Sequence, residues 1–375
     1  MSCRRLCVGL FCETWGSGGI ESFLLNVLPY VDRERFHIRI ITVKLESDFY
    51  LQRLLKMGVE LDCFSESNRS SHARFYTFYK MLHTNQYDVL HFHLFEGMAL
   101  GYVQAAKAAG VPVRIVHSHN TDLRKSFFRP LKLAVHECAK FVFSDAATYR
   151  LACSRSAARF LFPAEDDITG RWVYIPNGIR AEQFSFDADK RRVMRRELGI
   201  GSELVVGCIG RLCRQKNQRF LLRAFARLHE REPRSRLVLV GEGIDEQELR
   251  KLANSFGIWN AVTFYGVSQH IPELLWAFDV LAFPSLFEGL GIVAVEAQAA
   301  CLPVVCSDYI PQEAAVTDLV RFLSLEAGEE GWADALLHAK CMKRRDMRQE
   351  IHQAGYAIES TAEKLQALWA GEAYS

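Results

Sequence analysis

Two carboxylates are set apart by their spacing. Glu288 and Glu296 lie in the stretch FPSLFEGLGIVAVEAQAACLPVVCSD, Phe283 to Asp308, with seven residues between them. The stretch reads as a strand end, a glycine-bearing turn, a helix that starts near Gly291 or Ile292, and a second strand. Backbone N–H groups at such a helix start are unpaired and carry partial positive charge, which suits an anionic ligand. Glu288 falls in the turn and Glu296 one or two turns into the helix, where a carboxylate facing the same crevice can accept from the hydroxyls of a ribose or a hexose. Glutamates at this spacing are also common on surface helices, where they are merely solvated. Here the helix is apolar, with Ile292, Val293, Val295, Ala297, Ala299 and Ala300, and therefore reads as packed on a sheet.

A second group is cationic. Arg211, Arg214 and Lys216 share the loop GRLCRQKNQ between a strand, Leu204 to Ile209, and a helix, Phe220 to His229. Loop cations beside a helix N-terminus suit a diphosphate; a solvated loop is the alternative. Near the start, GSGGIE follows the short apolar run Leu6 to Phe11. Strand, glycine loop and helix let the backbone approach a phosphate, although the dinucleotide spacing is absent and a tight turn would look the same. Histidines gather at two strand ends, His91 and His93 in VLHFHLFEG and His117 and His119 in IVHSHNT. His-x-His can supply zinc ligands, but no Glu-x-x-His motif or cysteine cluster accompanies them, and the reading assigns no metal site. For His91 and His93, a satisfied strand-end role and an acceptor contact stay equally open. The stretch Asp122 to Phe143 mixes Arg124, Lys125, Arg129, Lys132 and Lys140 with Phe127, Phe128, Leu131 and Leu133. It fits either an anionic membrane surface or a core helix with a solvated basic face.

The elements that must position these groups alternate strand and helix along both halves, which argues for parallel sheets covered on both faces. At 375 residues two domains are expected. The breakers Pro176, Asn177 and Gly178 mark the crossing, giving 1–178, 179–355 and a terminal helix over 356–375. A hydrophobic share of 49% with 24% charged residues describes an ordinary globular protein, and a net charge of +2 makes no case for nucleic acid. No run approaches the length of a transmembrane helix, and the start, MSCRRLCVGLF, reads as a buried first strand rather than a leader. The eleven cysteines form no CxxC pair and read as small buried hydrophobes in a reducing compartment.

The words FPS, FEGLG, VEAQA and LPVVCSD around the two glutamates resemble the E-x7-E motif of retaining glycosyltransferases of family 4. GR…KN at Arg211 to Asn217 and IPNGI at Ile175 to Ile179 match that family as well. GGIES, HSHN and LVRFLSLE are most similar to transferases of capsule and exopolysaccharide synthesis. YIPQEA departs from the family, since Gln312 intervenes and a glycine is missing before Glu313.

The resemblance implies the GT-B fold: two Rossmann-like α/β domains facing each other across a cleft, with the last helix crossing back to the first. It implies a nucleotide-sugar donor on the second domain, a UDP-sugar in the first instance, and a saccharide or lipid-linked acceptor on the first. Glu296 would accept from ribose, Glu288 would contact the transferred sugar, and the amides of Gly289, Leu290, Gly291 and Ile292 would hold its hydroxyls. Arg211 and Lys216 would take the charge of the leaving diphosphate in place of a metal ion, so no cofactor is expected. His117, with His119 as second choice, would lie near the donor sugar. Gly18 and Gly19 would face the diphosphate and acceptor, and Gly241 and Val267 would complete the donor contacts. A basic apolar patch on the first domain, common where acceptors are lipid-linked, implies a cytoplasmic protein touching the inner face of the membrane. A nucleotide-sugar epimerase, a sugar-nucleotide binding module without activity and a dinucleotide oxidoreductase are the rival readings. The E-x7-E context favours the transferase.

Overall fold

The computed structural model describes residues 4–16, 18–64, 71–123, 129–339 and 344–372. The chain forms two compact units. The first holds residues 1–178 together with 355–375, and the second holds 179–354.

The first unit contains a seven-stranded sheet: β1 (Leu6–Trp15), β2 (Phe36–Leu45), β3 (Glu60–Cys63), β4 (Val89–Leu94), β5 (Val113–Ser118), β6 (Tyr149–Ala152) and β7 (Val173–Tyr174). The order is β3-β2-β1-β4-β5-β6-β7, and every paired strand is parallel. The second unit repeats the scheme with β8 (Leu204–Ile209), β9 (Ser235–Val240), β10 (Val262–Gly266), β11 (Val280–Phe283), β12 (Val304–Ser307) and β13 (Val320–Leu323), ordered β10-β9-β8-β11-β12-β13. Strands buried on both faces explain continuous apolar runs such as VLAF in β11, in which all four residues are buried. In both sheets the order reverses beside the first strand, between β1 and β4 and between β8 and β11. A parallel sheet opens a crevice at such a reversal, outside the carboxyl ends of its strands.

Six helices bear on the sites. They are α1 (Gly19–Val27), α2 (Arg129–Phe143), α3 (Ala188–Glu197), α4 (Gln218–Arg231), α5 (Ile292–Ala299) and α6 (Ile358–Trp369). The first strand is longer than its apolar run suggested. Trp15, whose glycine-rich surroundings read as a loop from Trp15 to Gly19, stays in register with Leu45 and has no exposed surface. Burial of the indole therefore extends the strand and shortens the loop.

The returning segment completes the first core. Ile358, Ala362, Leu365, Leu368 and Trp369 of α6 join Leu24, Leu28, Phe36 and Ile40 in one apolar cluster. Gln366 accepts from the Asp32 backbone N–H at 2.7 Å and donates to the Tyr30 carbonyl at 3.2 Å. Trp369 is 1% exposed and meets the Phe36 ring edge-on at 5.6 Å between centroids. In the second unit the core includes Phe225 and Leu228 of α4 with Trp332. There α3 is anchored by charge: Arg191 and Arg195 both reach Asp279, at 2.7 and 3.2 Å.

Truncating so large a buried side chain costs roughly 3–5 kcal/mol. Trp369→Ala is expected to move the urea midpoint of the first unit down accordingly. An unchanged midpoint would show that the last helix is not part of this core.

Candidate active site

In the second unit the loops that leave β8 and β11 flank the reversal point and are stitched together by three hydrogen bonds. Leu286 N–H donates to the Gln215 carbonyl at 2.8 Å, Gln215 Nε2 to the Phe287 carbonyl at 2.9 Å, and Asn217 Nδ2 to the Pro284 carbonyl at 3.2 Å. Asn217 takes the left-handed conformation, φ +55°, where asparagine is better tolerated than most residues, and starts α4 from there. The stitching brings Lys216 Nζ to 2.6 Å from Glu288 Oε1, with both side chains largely buried. The ammonium also lies 5.0 Å from the centroid of the Phe283 ring.

Glycines make room for this pair. A Cβ on Gly210 would meet Lys216 Cε at 2.8 Å, and one on Gly241 would meet the Gly210 carbonyl oxygen at 2.3 Å. Gly241 thus belongs to the site through backbone approach. Gly291 caps α5 at φ +88°, with Phe283 where a Cβ would go. Leu290 is buried, Ile292 opens the helix partly exposed, and Val267 follows β10 half-buried.

Glu296 stands one turn into α5, where burial pushes its carboxyl up to about 8. Arg211 is exposed past the end of β8, and its guanidinium has no protein partner among the described residues. Its carbonyl, by contrast, accepts from Gln218 Nε2 at 2.9 Å.

Gln298, two residues beyond Glu296, has no functional signature in the sequence, yet it organises the neighbouring loop. Its Nε2 donates to the carbonyls of Ala294 and Ala314, at 2.8 and 2.7 Å, while its Oε1 accepts from the backbone N–H groups of Val316 and Thr317. A buried glutamine in an apolar helix was the available signal, since such a group must find partners.

In the first unit the glycine loop is held by a residue that the sequence reading passed over. Glu21, buried on α1, accepts from the Gly16 backbone N–H at 2.7 Å, and its Oε2 lies where a Cβ on Gly18 would go. Gly19 has open space around it. At the end of β1, burial and the nearby Glu96 push Glu13 up to about 7, with Arg74 opposing.

The four histidines come together on one face of the sheet. His93 and His117 are register partners, and His93 Nδ1 lies 2.9 Å from His119 Nε2. Burial holds all four neutral, with His91 and His119 pushed down to about 3. His117 has no exposed surface, whereas His119 is partly exposed, and Phe23 of α1 covers both at 5.9 Å between ring centroids. The two histidines thus differ in exposure, the first choice from sequence being the more deeply buried. The cause is the sheet: His117 lies inside β5, His119 beyond its end.

The basic stretch divides. Arg124, Lys125, Phe127 and Phe128 lie outside the described residues. Arg129 pairs with Asp122 at 2.8 Å, and Lys140 is buried against Glu137 and the Arg159 carbonyl. What α2 exposes is chiefly apolar: Leu131, Val135, Phe141 and Val142, with Lys132 beside them.

Among the described residues no helix is long and apolar enough to cross a membrane. The family description "Glycosyl transferases group 1" matches residues 190–357 and "Glycosyltransferase Family 4" matches residues 17–183. A Bacillus subtilis protein named "Putative glycosyltransferase EpsF" is 31% identical over 93% of this chain and 92% of its own. The UDP-Gal:alpha-D-GlcNAc-diphosphoundecaprenol alpha-1,3-galactosyltransferase of Escherichia coli is 26% identical over 77% of this chain and 76% of its own. In fold the chain is similar to Anabaena HepE solved with UDP and glucose, with a TM-score of 0.73 at 20% identity over 97% of this chain and 95% of that one. Two parallel-sheet Rossmann-like domains, both family descriptions and a relative matched almost end to end place this chain in family 4 of the glycosyltransferases, with the GT-B fold.

Proposed function

We propose that the enzyme is a retaining transferase that moves a hexose or N-acetylhexosamine from a UDP-sugar to a saccharide or lipid-linked saccharide in surface-polysaccharide synthesis. The observation that carries this reading is the Lys216–Glu288 pair, fixed at 2.6 Å, with Lys216 in the loop that also carries Arg211, whose guanidinium is without a partner among the described residues. A diphosphate entering there competes with Glu288 for the ammonium. Glu288 is then free to accept from hydroxyls of the sugar, while the amides from Gly289 to Ile292 hold the others. Glu296 accepts from the ribose, and Gly241 and Val267 flank the nucleotide. The names of two similar proteins support a UDP donor and a diphospholipid acceptor: the Escherichia coli enzyme is named for both, and HepE was solved with UDP.

In the reaction the bond between the anomeric carbon and the diphosphate oxygen breaks as the acceptor oxygen bonds to that carbon on the same face. The leaving phosphate oxygen takes the acceptor proton. Arg211 and Lys216 stabilise the charge that develops on the diphosphate, without a metal ion; fixed charges aimed at that point act most strongly in the transition state. His119, with His117 behind it, meets the donor sugar, and Gly18 and Gly19 lie on the acceptor side. On the cytoplasmic face of the membrane, the exposed apolar stripe of α2 would rest on the lipid surface.

A panel of nucleotide sugars, run with and without chelator, tests the class. One donor is expected to release its nucleotide in either condition. Lys216→Ala should lower kcat by about 10²–10³-fold, the range found when one stabilising group is removed, and Glu288→Ala should be impaired as well. An isomerised nucleotide sugar as product would point to an epimerase, and full activity in both variants would overturn the assignment.

Glu296 gives a pH signature. Its raised carboxyl is mainly protonated in the free protein at neutral pH. Ribose hydroxyls that donate to the carboxylate favour its ionised form, so nucleotide binding should release a proton between pH 6 and about 8. Calorimetry in buffers of different ionisation enthalpy reads that release, which Glu296→Gln should abolish. Proton uptake, or release unchanged in the variant, would remove Glu296 from the ribose. The raised value also means that the free protein loses stability as pH rises from about 4.5 toward 8, a slope the same variant should flatten.

For the membrane, Phe141→Asp with Val142→Asp should reduce co-sedimentation with anionic vesicles while leaving donor hydrolysis unchanged. Equal sedimentation of variant and wild type would rule α2 out as the contact.

A further inference from the structure

The histidine row on β4 and β5 holds more than a donor contact requires. His91 and His93 alternate onto the same face as their register neighbours on β5, where His117 stands opposite His93. One ring nitrogen from each of His91, His93 and His117 lies within 4.8 Å of the others, and all three residues lack exposed surface. Among the described residues, the Nε2 atoms of His91 and His93 and both ring nitrogens of His117 are buried without a well-formed hydrogen bond; the backbone at Ile175 gives His117 only a weak contact. Buried polar atoms are rarely left in this state, and several converging on one point call for a shared occupant.

The outer contacts bear on which nitrogens can ligate. When His93 Nδ1–H donates to His119 Nε2, His93 Nε2 keeps its lone pair and is left as the nitrogen that can ligate. Metal-ligating histidines are oriented in this way by an outer hydrogen bond. The contact at His91 works the other way: Trp369 Nε1 donates to His91 Nδ1 at 3.4 Å, which favours a proton on Nε2. The contact is long, and loading through Nε2 would release it.

We propose that His91, His93 and His117 form a structural site for a borderline transition-metal cation such as Zn²⁺, completed by a water. Three neutral imidazoles suit zinc and its neighbours, whereas calcium and magnesium want oxygen. At a Zn–N length of about 2.0–2.1 Å a tetrahedral site needs nitrogens roughly 3.3–3.4 Å apart, so on loading the rings close inward by about 1 Å and turn out of their near-parallel arrangement, His91 and His117 now lying 9° from parallel. The ion would tie β4 to β5 under Phe23, whose ring lies 6.1 Å from that of His93. The site belongs to the first unit and shares only His117 with the donor contact proposed above; metal binding is read without turnover, so each proposal can fail without the other.

Full-length protein stripped with chelator is titrated with Co²⁺ and then Zn²⁺ at neutral pH. One equivalent of Co²⁺ is expected to give the intense visible bands of four-coordinate cobalt, which Zn²⁺ then displaces. His93→Gln and His117→Gln should weaken binding by roughly a hundredfold or more. The exposed control His270→Ala should bind as wild type, and Trp369→Phe at least as tightly. Absence of the bands in wild type overturns the proposal, as does undiminished binding in both glutamine variants. X-ray absorption of the zinc-loaded wild type decides even where those variants do not fold: three imidazole ligands support the site, and fewer overturn it.

Discussion

The second unit depends on a buried ion pair between loops 72 residues apart in sequence. Removing one member of such a pair leaves an uncompensated charge and costs about 3–5 kcal/mol, whereas forming it in place of apolar contacts gains little. The Lys216–Glu288 contact is therefore a poor stabilising device and a good positional one. It is sustained by the backbone around it: Gln215 and Asn217 bind the loop after β11, and Gly210 yields the space that the lysine stem crosses. Both loops leave neighbouring strands at the point where the strand order reverses, so the topology creates the opening and the ion pair lines it.

The first unit uses the same topology with other chemistry. Its comparable opening lies beside uncharged aromatic groups: four neutral histidines under Phe23, with Trp369 edge-on to His91. The indole comes from the returning helix, which fills the core that the first 178 residues leave open. Charge is admitted there mainly as clamps. Glu21 holds the glycine loop by a backbone N–H, a role that depends on its carboxylate accepting rather than on its net charge.

The parts legible in the sequence were those whose partners are close in sequence or imposed by periodicity. Alternating strands and helices announced two parallel sheets, and the stretch around the two glutamates read correctly as a turn, a helix and a strand. The loop that carries Arg211 and Lys216 was legible as the link between a strand and a helix, β8 and α4. Long-range satisfaction was not legible. Nothing local tells that Gln298 will hold backbone near residue 316, that Lys140 will turn inward to the Arg159 carbonyl, or that Trp15 will be buried deeply enough to extend β1. The histidines show the same limit: spacing placed them at strand ends, but only the register shows that one is sealed inside the sheet and its neighbour left at the edge.

Several groups that are costly to bury lie where ligands are proposed to bind. The hydroxyl of Ser285 is buried without a partner in the strand-end stretch that leads to Glu288, Glu296 is held protonated by its surroundings, and the histidine row carries unpaired nitrogens. Each raises the free energy of the empty protein, since a buried polar atom lacking a partner is worse than the same atom in water. A ligand that satisfies them returns this free energy as affinity and adds to the stability of the folded state in proportion to its excess over Kd. The cost is carried by apolar cores: Phe225 and Leu228 beneath one sheet, and Leu24, Leu28 and Phe36 beside the other. Stability and reactivity are thus assigned to different layers of the same Rossmann-like unit. This division lets the strand-end loops vary in chemistry while the sheets keep one topology.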